Sequence, residues 1–260
     1  MLQQKRIIQE TSNFAPKAKT KLYAEFITNA EEIKQAQRLR YEVFCAEYNI
    51  SLPTHHQWRG MPIDQDCFDE HCLHLVVRES ESYEVVGYTR VLSETKAKLV
   101  DGFYSGSEFD IQQIELLPGS KIEIGRTCIH PDYRNGSTIS ILWAHLAKHM
   151  LQNNIRFLFG CASISLADGG KAFSSLMPFL RANHFSSESR RVLPKLPLKV
   201  SEVRSESTPA SPPLLKAYTR MGAKVCGEAC WDPDFNVADV FILLDMNNIT
   251  SRYAKHFLKS

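Results

Sequence analysis

Apolar positions along the chain switch between two periods, and the switches mark the elements. "KLYAEFIT" (21–28) reads as a strand, and Ile33, Ala36, Val43, Phe44 and Tyr48 then fall at helical spacing, with Arg40 in the same row. Asn29 followed by Glu32 has the pattern of a capping box at the start of that helix. "LPTHHQWRGMPIDQDCFD" breaks the pattern with Pro, Gly and polar residues and predicts a long loop. "LHLVVRE" and "EVVGYTRVL", joined by "SESY", predict a hairpin. "SKIEIGRTCI" is the next strand. A helix follows from Asn135-Gly136-Ser137, its apolar face carried by Ile141, Leu142, Leu146 and Met150. The continuous apolar run "IRFLFGCAS" predicts a central strand. "GGKAFSSLMPFLRANHF" predicts a helix interrupted by Pro178, and residues 186–213, rich in Ser, Pro and charge, predict a mobile insertion. "PPLLKAYTRMGA" reads as a short helix ended by Gly222, "KVCGEACWD" and "ADVFILLD" as the last strands, and "TSRYAKHFLKS" as a basic terminal helix.

These elements predict an α/β (α+β) domain over residues 21–260, preceded by a polar arm at 1–20. Its sheet is mixed and mainly antiparallel, with one strand–helix–strand unit at 121–161. With 43% hydrophobic and 23% charged residues, the 260-residue chain has an ordinary soluble composition. No run approaches the ~18 apolar residues of a spanning helix. The start lacks the apolar block of a signal peptide, and seven cysteines form no regular framework, so the expected setting is cytoplasmic with reduced thiols. Charge adds a further division. Residues 1–24 and 181–204 each carry +4 and residues 246–260 carry +3, so a net charge of +2 leaves about −9 on the rest. That is either a solvated surface or an acidic site with basic edges, suited to a cationic small substrate and an anionic partner.

The candidate chemistry begins in "IEIGRTCIHPDYRNGST" (122–138). Simple alternation puts Glu123 and Gly125 on one face of the strand and Ile122, Ile124 and Arg126 on the other. Glu123 and Arg126 are either structural ion-pair partners of sheet neighbours or functional, with the carboxylate accepting a proton from a nucleophile. The helix start offers free N–H groups and a positive dipole end. Arg134, Asn135, Gly136, Ser137 and Thr138 there form either a plain cap or a phosphate cradle. Asp66 and Asp69, beside Asp64 and Glu70, make either a solvated acidic turn or a seat for an ammonium group. Cys67, His71, Cys72 and His74 lack the spacing of a structural zinc site, so no metal is expected. Phe157, Phe159, Phe173, Phe179 and Phe185 are either core or the lining of an acyl tunnel.

Taken together, "RLRYEVF", "DQDCFD", "VGYTRVL" and "EIGRTCIHPDYR" resemble the motifs of the GNAT superfamily branch shared with acyl-homoserine-lactone autoinducer synthases. "ILWAHLAKHM", "FLFGCAS", the segment from Pro212 to Asp245 and "RYAKHF" narrow the resemblance to the L-ornithine Nα-acyltransferases. It covers about Leu22 to Phe257. It implies the GNAT fold and a (3R)-3-hydroxyacyl chain moved from acyl carrier protein to the α-amine of L-ornithine, forming lyso-ornithine lipid. No tightly bound cofactor is implied, and the phosphopantetheine thioester is a co-substrate. Carried over by position, Glu123 and Arg126 would be catalytic, and Asp66, Asp69, Arg40, Phe44 and Arg90 would serve the substrate. Residues 134–138 would hold the phosphopantetheine. A typical GNAT phosphate loop has two glycines, whereas "RNGST" has only Gly136, which suits a single phosphodiester better than a pyrophosphate.

Expected partners are therefore acyl carrier protein, L-ornithine and an anionic membrane touched peripherally, with no nucleic acid. Three alternatives stay open. One is a GNAT enzyme for lysine, glycine or glutamine. Another uses acyl- or acetyl-coenzyme A. The third is a non-catalytic regulatory or membrane-active protein on the same fold.

Overall fold

Residues 21–46, 56–198 and 209–249 are described in a computed structural model of the chain. The N-terminal arm and the terminal basic helix lie outside them. β1 (Leu22–Ile27) leads into α1 (Ala30–Tyr41), which passes into a π-helical turn at Glu42–Ala46. Asn29 caps α1 by accepting from Glu31 N at 2.8 Å. Glu32 instead pairs with Arg78 at 2.8 Å, so the predicted cap is one-sided.

The predicted long loop holds a small ribbon, β2 (His56–Trp58) against β3 (Met61–Ile63). Arg59 and Gly60 both take positive φ, the turn that closes a two-residue hairpin. β4 (Leu73–Glu79) and β5 (Val85–Ser93) form the expected hairpin. Short elements α2 (Glu94–Ala97), α3 (Ser105–Glu108), β6 (Phe109–Asp110) and α4 (Gln112–Glu115) then lead to β7 (Ser120–Ile129). α5 (Ser137–Gln152) and β8 (Ile155–Ser165) complete the central unit. α6 (Lys171–His184), β9 (Leu193–Pro194), α7 (Pro213–Met221), β10 (Lys224–Val225), β11 (Cys230–Asp232) and β12 (Val237–Asp245) follow.

The main sheet runs β1-β4-β5-β7-β8-β12-β10, with β11 also on β12. Among the described strands of this sheet only β7 and β8 pair with each other in parallel, as the crossover through α5 requires. One face packs Leu75, Val77, Ile122 and Ile124 against Leu142, Leu146 and Met150 of α5, with α6 and α7 continuing the layer. The opposite face is covered in two parts. Ala36 and Leu39 of α1 meet Val76 and Tyr88, while Phe103, Phe109 and Ile114 meet Phe157, Phe159 and Phe241. Phe157 and Phe159 thus belong to one face, and Phe173, Phe179 and Phe185 to the other. The five aromatics line no common channel.

α6 runs unbroken through Pro178. A proline inside a helix costs about 3 kcal/mol, but α6 buries Phe173, Leu176, Met177 and Leu180. Burial at about 1.5–3 kcal/mol per large side chain outweighs that cost. Residues 186–198, expected to be mobile, are tied down. Ser186 N and Val192 N donate to Val225 O and Cys226 O, and β9 pairs with β6. Residues 199–208 of that segment are not among those described. All seven cysteines are free. Among the described residues no helix is long and apolar enough to cross a membrane.

Candidate active site

The central strands part halfway along. β7 pairs with β8 only from Ser120 to Glu123, opposite Ile155 to Phe159. At Gly160 the backbones are so close that a Cβ would lie 2.3 Å from Ile124 O, so the glycine permits the last contact before the split. Beyond it β7 keeps only β5, and β8 keeps only β12. A cavity of about 280 Å³ opens beside the split, with Glu123, Gly125, Arg126, Thr127, Cys161 and Ser163 in its wall.

Strand alternation fails here. The β5–β7 register shifts between Tyr88 and Arg90, and Arg126 has φ 52°. This bulge adds a residue to β7 and turns Arg126 back onto the face that carries Glu123. Both then meet Tyr104: its ring lies 5.5 Å from the Arg126 guanidinium, and its backbone N–H donates to Glu123 Oε2 at 2.7 Å. The opposite faces expected from period-two counting are therefore corrected by the bulge.

Glu123 is buried and accepts three hydrogen bonds. Besides Tyr104 N, Ser105 donates to Oε1 from its backbone N at 2.7 Å and from Oγ at 2.5 Å. Burial pushes its carboxyl up from the ordinary value, and these donors pull partly back. A carboxylate has about four acceptor positions, so among the described residues one position, on Oε2, has no donor.

Asp66 and Asp69 are brought to the site, but arginines already hold them. Arg90 Nη1 meets Asp66 at 2.5 Å and Asp69 at 3.1 Å. Arg40, fully buried, donates to Asp64 at 3.0 Å and Asp69 at 2.7 Å. Arg126 reaches Asp64 at 3.2 Å and Asp66 at 3.5 Å. Three guanidinium groups thus face three carboxylates in a closed lattice. Burial alone would raise Asp69, but Arg40 and Arg90 outweigh it and hold its carboxyl below the ordinary value. A free ammonium seat at Asp66 and Asp69, as the sequence led us to expect, does not match this pairing. Of the other expected substrate residues, Phe44 and Arg90 line the cavity, while Arg40 is fully buried and joined to Asp64 and Asp69.

Gly136 precedes α5 with φ 90° and has no side chain with which to cap that helix. Asn135 Oδ1 accepts from Ser137 N at 3.1 Å and Ser137 Oγ at 2.5 Å. Arg134 donates from Nε to Ile129 O at 3.1 Å. Thr138 is buried and its hydroxyl donates to Tyr133 O at 2.9 Å, so its side chain is spent on the fold rather than offered to a phosphate.

Sequence reading missed the other side of the cavity. Glu108, Asp232 and Asp239 line it, with one carboxylate oxygen of each within 4.8 Å of the others. Burial and then Asp239 push Glu108 up to about 8, and burial pushes Asp239 up to about 6 although Ser163 Oγ donates to it at 2.6 Å. Positions 108, 232 and 239 are too far apart in sequence to form a motif. The surplus of acid outside the basic segments was the one available signal.

A parallel strand pair that parts over a cavity, joined through a helix that starts just after a glycine, defines a GNAT-type acyltransferase. The Acetyltransferase (GNAT) domain family matches residues 39–144. Over 89% of this chain and 92% of the relative, 31% of residues are identical to an L-ornithine N(alpha)-acyltransferase of Rhodobacter capsulatus. Identity is 32% to a protein of the same name from Agrobacterium fabrum, over 88% of this chain and 82% of that one. The chain belongs to the L-ornithine Nα-acyltransferase family. Among solved structures, a CoA-dependent acyl-homoserine lactone synthase, BjaI, shares the fold. Its TM-score is 0.53 at 15% identity, over 92% of this chain and 87% of that one.

Proposed function

We propose that this acyltransferase moves a (3R)-3-hydroxyacyl chain from acyl carrier protein to the α-amine of L-ornithine and so makes lyso-ornithine lipid. The acceptor follows from the name of the relatives. The observation that carries the chemistry is the bulge at Arg126, which puts Glu123 and Arg126 on one wall of the cavity.

Glu123 takes a proton from the acceptor's ammonium through its open Oε2 position, directly or through a water. The free amine attacks the thioester carbonyl, the C–N bond forms and the C–S bond breaks, and the attacking nitrogen gives up its second proton, which balances the one the leaving thiolate takes up. β7 has no partner strand on the β8 side past Glu123, so its N–H groups near Thr127 are available to a developing oxyanion. Arg126 orients the acceptor's carboxylate. The lattice of Arg40, Arg90, Asp64, Asp66 and Asp69 holds Arg126 in place rather than binding substrate itself.

The start of α5 receives the phosphodiester of phosphopantetheine, through Arg134, Asn135, Gly136, Ser137 and the backbone of Thr138. The basic segments attract the acidic carrier and an anionic membrane surface. Incubation with 3-hydroxyacyl-acyl carrier protein and ornithine, followed by mass spectrometry, should give the monoacylated α-amide and free carrier thiol. Transfer to the δ-amine, or no transfer to ornithine at all, would refute the reading.

A further inference from the structure

Arg126 supplies one pole of charge in the cavity wall, and three carboxylates supply the other. Glu108, Asp232 and Asp239 form no ion pair among the described residues, unlike Asp64, Asp66 and Asp69. Asp232 Oδ1 accepts from Asp234 N and Phe235 N in its own turn, and Asp239 accepts from Ser163. Glu108 Oε2 is different: it is sealed from solvent and has no hydrogen-bond partner among the described residues. Asp239 beside it is only 3% exposed. Leaving a buried acceptor oxygen without a donor is costly, and native proteins rarely do so without reason. Tyr104 and Cys161 stand close enough to pull the Glu108 carboxyl partly back down, but neither reaches Oε2, which leaves that oxygen to a donor from outside the fold. An alkylammonium offers three N–H donors, one for each carboxylate, and Phe235 and Val237 in the same wall offer apolar surface to its methylenes.

We propose that Glu108, Asp232 and Asp239 seat the side-chain ammonium of the acceptor, and that Glu108 and Asp239 select a cationic amino acid over a neutral one. The proposal rests on the acyltransferase reading above and deepens it. It moves the ammonium seat from the arginine-bound Asp66 and Asp69 to carboxylates that pair with no cationic side chain among the described residues. Without a cation the cluster is partly protonated near neutral pH, because burial and mutual repulsion disfavour its full charge. An arriving ammonium favours the ionised forms, so binding expels a proton.

Titration calorimetry of the full chain with ornithine and with norvaline, which lacks the side-chain amine, tests this without turnover. At pH 7.5, in two buffers of different ionisation enthalpy, ornithine binding should release protons and norvaline binding should not. Glu108→Gln and Asp239→Asn should each weaken ornithine by about tenfold to a hundredfold and leave norvaline nearly unchanged. Both remove like charges from a buried cluster, so their melting temperatures should match or exceed that of the unaltered protein. Wild-type ornithine affinity in both variants, or no ornithine binding at all, overturns the proposal. So does tight binding of Mg²⁺ or Ca²⁺ with ornithine unaffected, which would make the cluster a metal site. Selective ornithine binding without acyl transfer would strike the proposed reaction alone.

Discussion

Arg40→Met isolates the lattice beside the cavity. The side chain is fully buried and joins Asp64 at 3.0 Å and Asp69 at 2.7 Å. Removing it breaks two buried ion pairs, and leaving one partner of such a pair costs about 3–5 kcal/mol. Each carboxylate keeps other partners: Asp64 keeps Arg126 at 3.2 Å, and Asp69 keeps Arg90 at 3.1 Å and Gln37 Nε2 at 2.9 Å. The loss should therefore fall near the lower end, about 3 kcal/mol. With a urea slope of about 3 kcal/mol/M, the midpoint should drop by about 1 M.

The dependence on pH has a definite sign. Asp69 is held below its ordinary value in the fold, so its pairing stabilises above the unfolded value of about 3.9 and is lost as pH falls through the folded one. Without Arg40 its folded value rises, so the variant's penalty should be larger at pH 7.5 than at pH 4. Adding Asp69→Asn should recover part of the loss, because the two sites couple directly. A penalty under about 1 kcal/mol, or one independent of pH, would refute the view of the lattice as a mutually dependent unit.

Glu123→Gln should fold and lose turnover by about a hundredfold or more, since a general base contributes on that order; wild-type kcat across pH 6 to 9 would return Glu123 to a purely structural role. Acyl carrier protein should exceed acyl-coenzyme A in kcat/KM, and raising salt should erode that advantage by screening the basic segments; equal rates with both donors would exclude it. Gly160→Ala should destabilise by about 1–3 kcal/mol, because its methyl would press on Ile124 O, 2.3 Å from where it must sit; an unchanged melting temperature would mean the strands are not pinned there.

Much of the fold was legible because its elements follow period. β4, β5, β7, α5, β8 and β12 lie where their apolar spacing predicted. What escaped had local or tertiary causes. The turn at Arg59-Gly60 made a ribbon from a polar stretch, and packing carried α6 through Pro178. At the site, the motif residues 40, 66, 69, 90, 123 and 126 do gather. Their roles were less readable, because a carboxylate's partner is set by folding: nothing in "DQDCFD" says that three arginines from other elements will claim it. The bulge at Arg126 inverted a face that alternation alone assigned. Glu108, Asp232 and Asp239 meet only through the tertiary fold.

The brief pairing of β7 with β8 has a consequence for how the chain is made. Strands β1, β4, β5 and β7 come from residues 22–129, and β8, β10, β11 and β12 from residues 155–245. Each set closes its own antiparallel ladder, and the two meet along one short seam. During synthesis the first ladder can therefore complete before the ribosome has delivered any strand of the second. The reactive cleft is then the last part of the sheet to exist, assembled when the second leaf docks. A nascent chain arrested before β8 should resist protease across its first ladder while holding no acyl-transfer site.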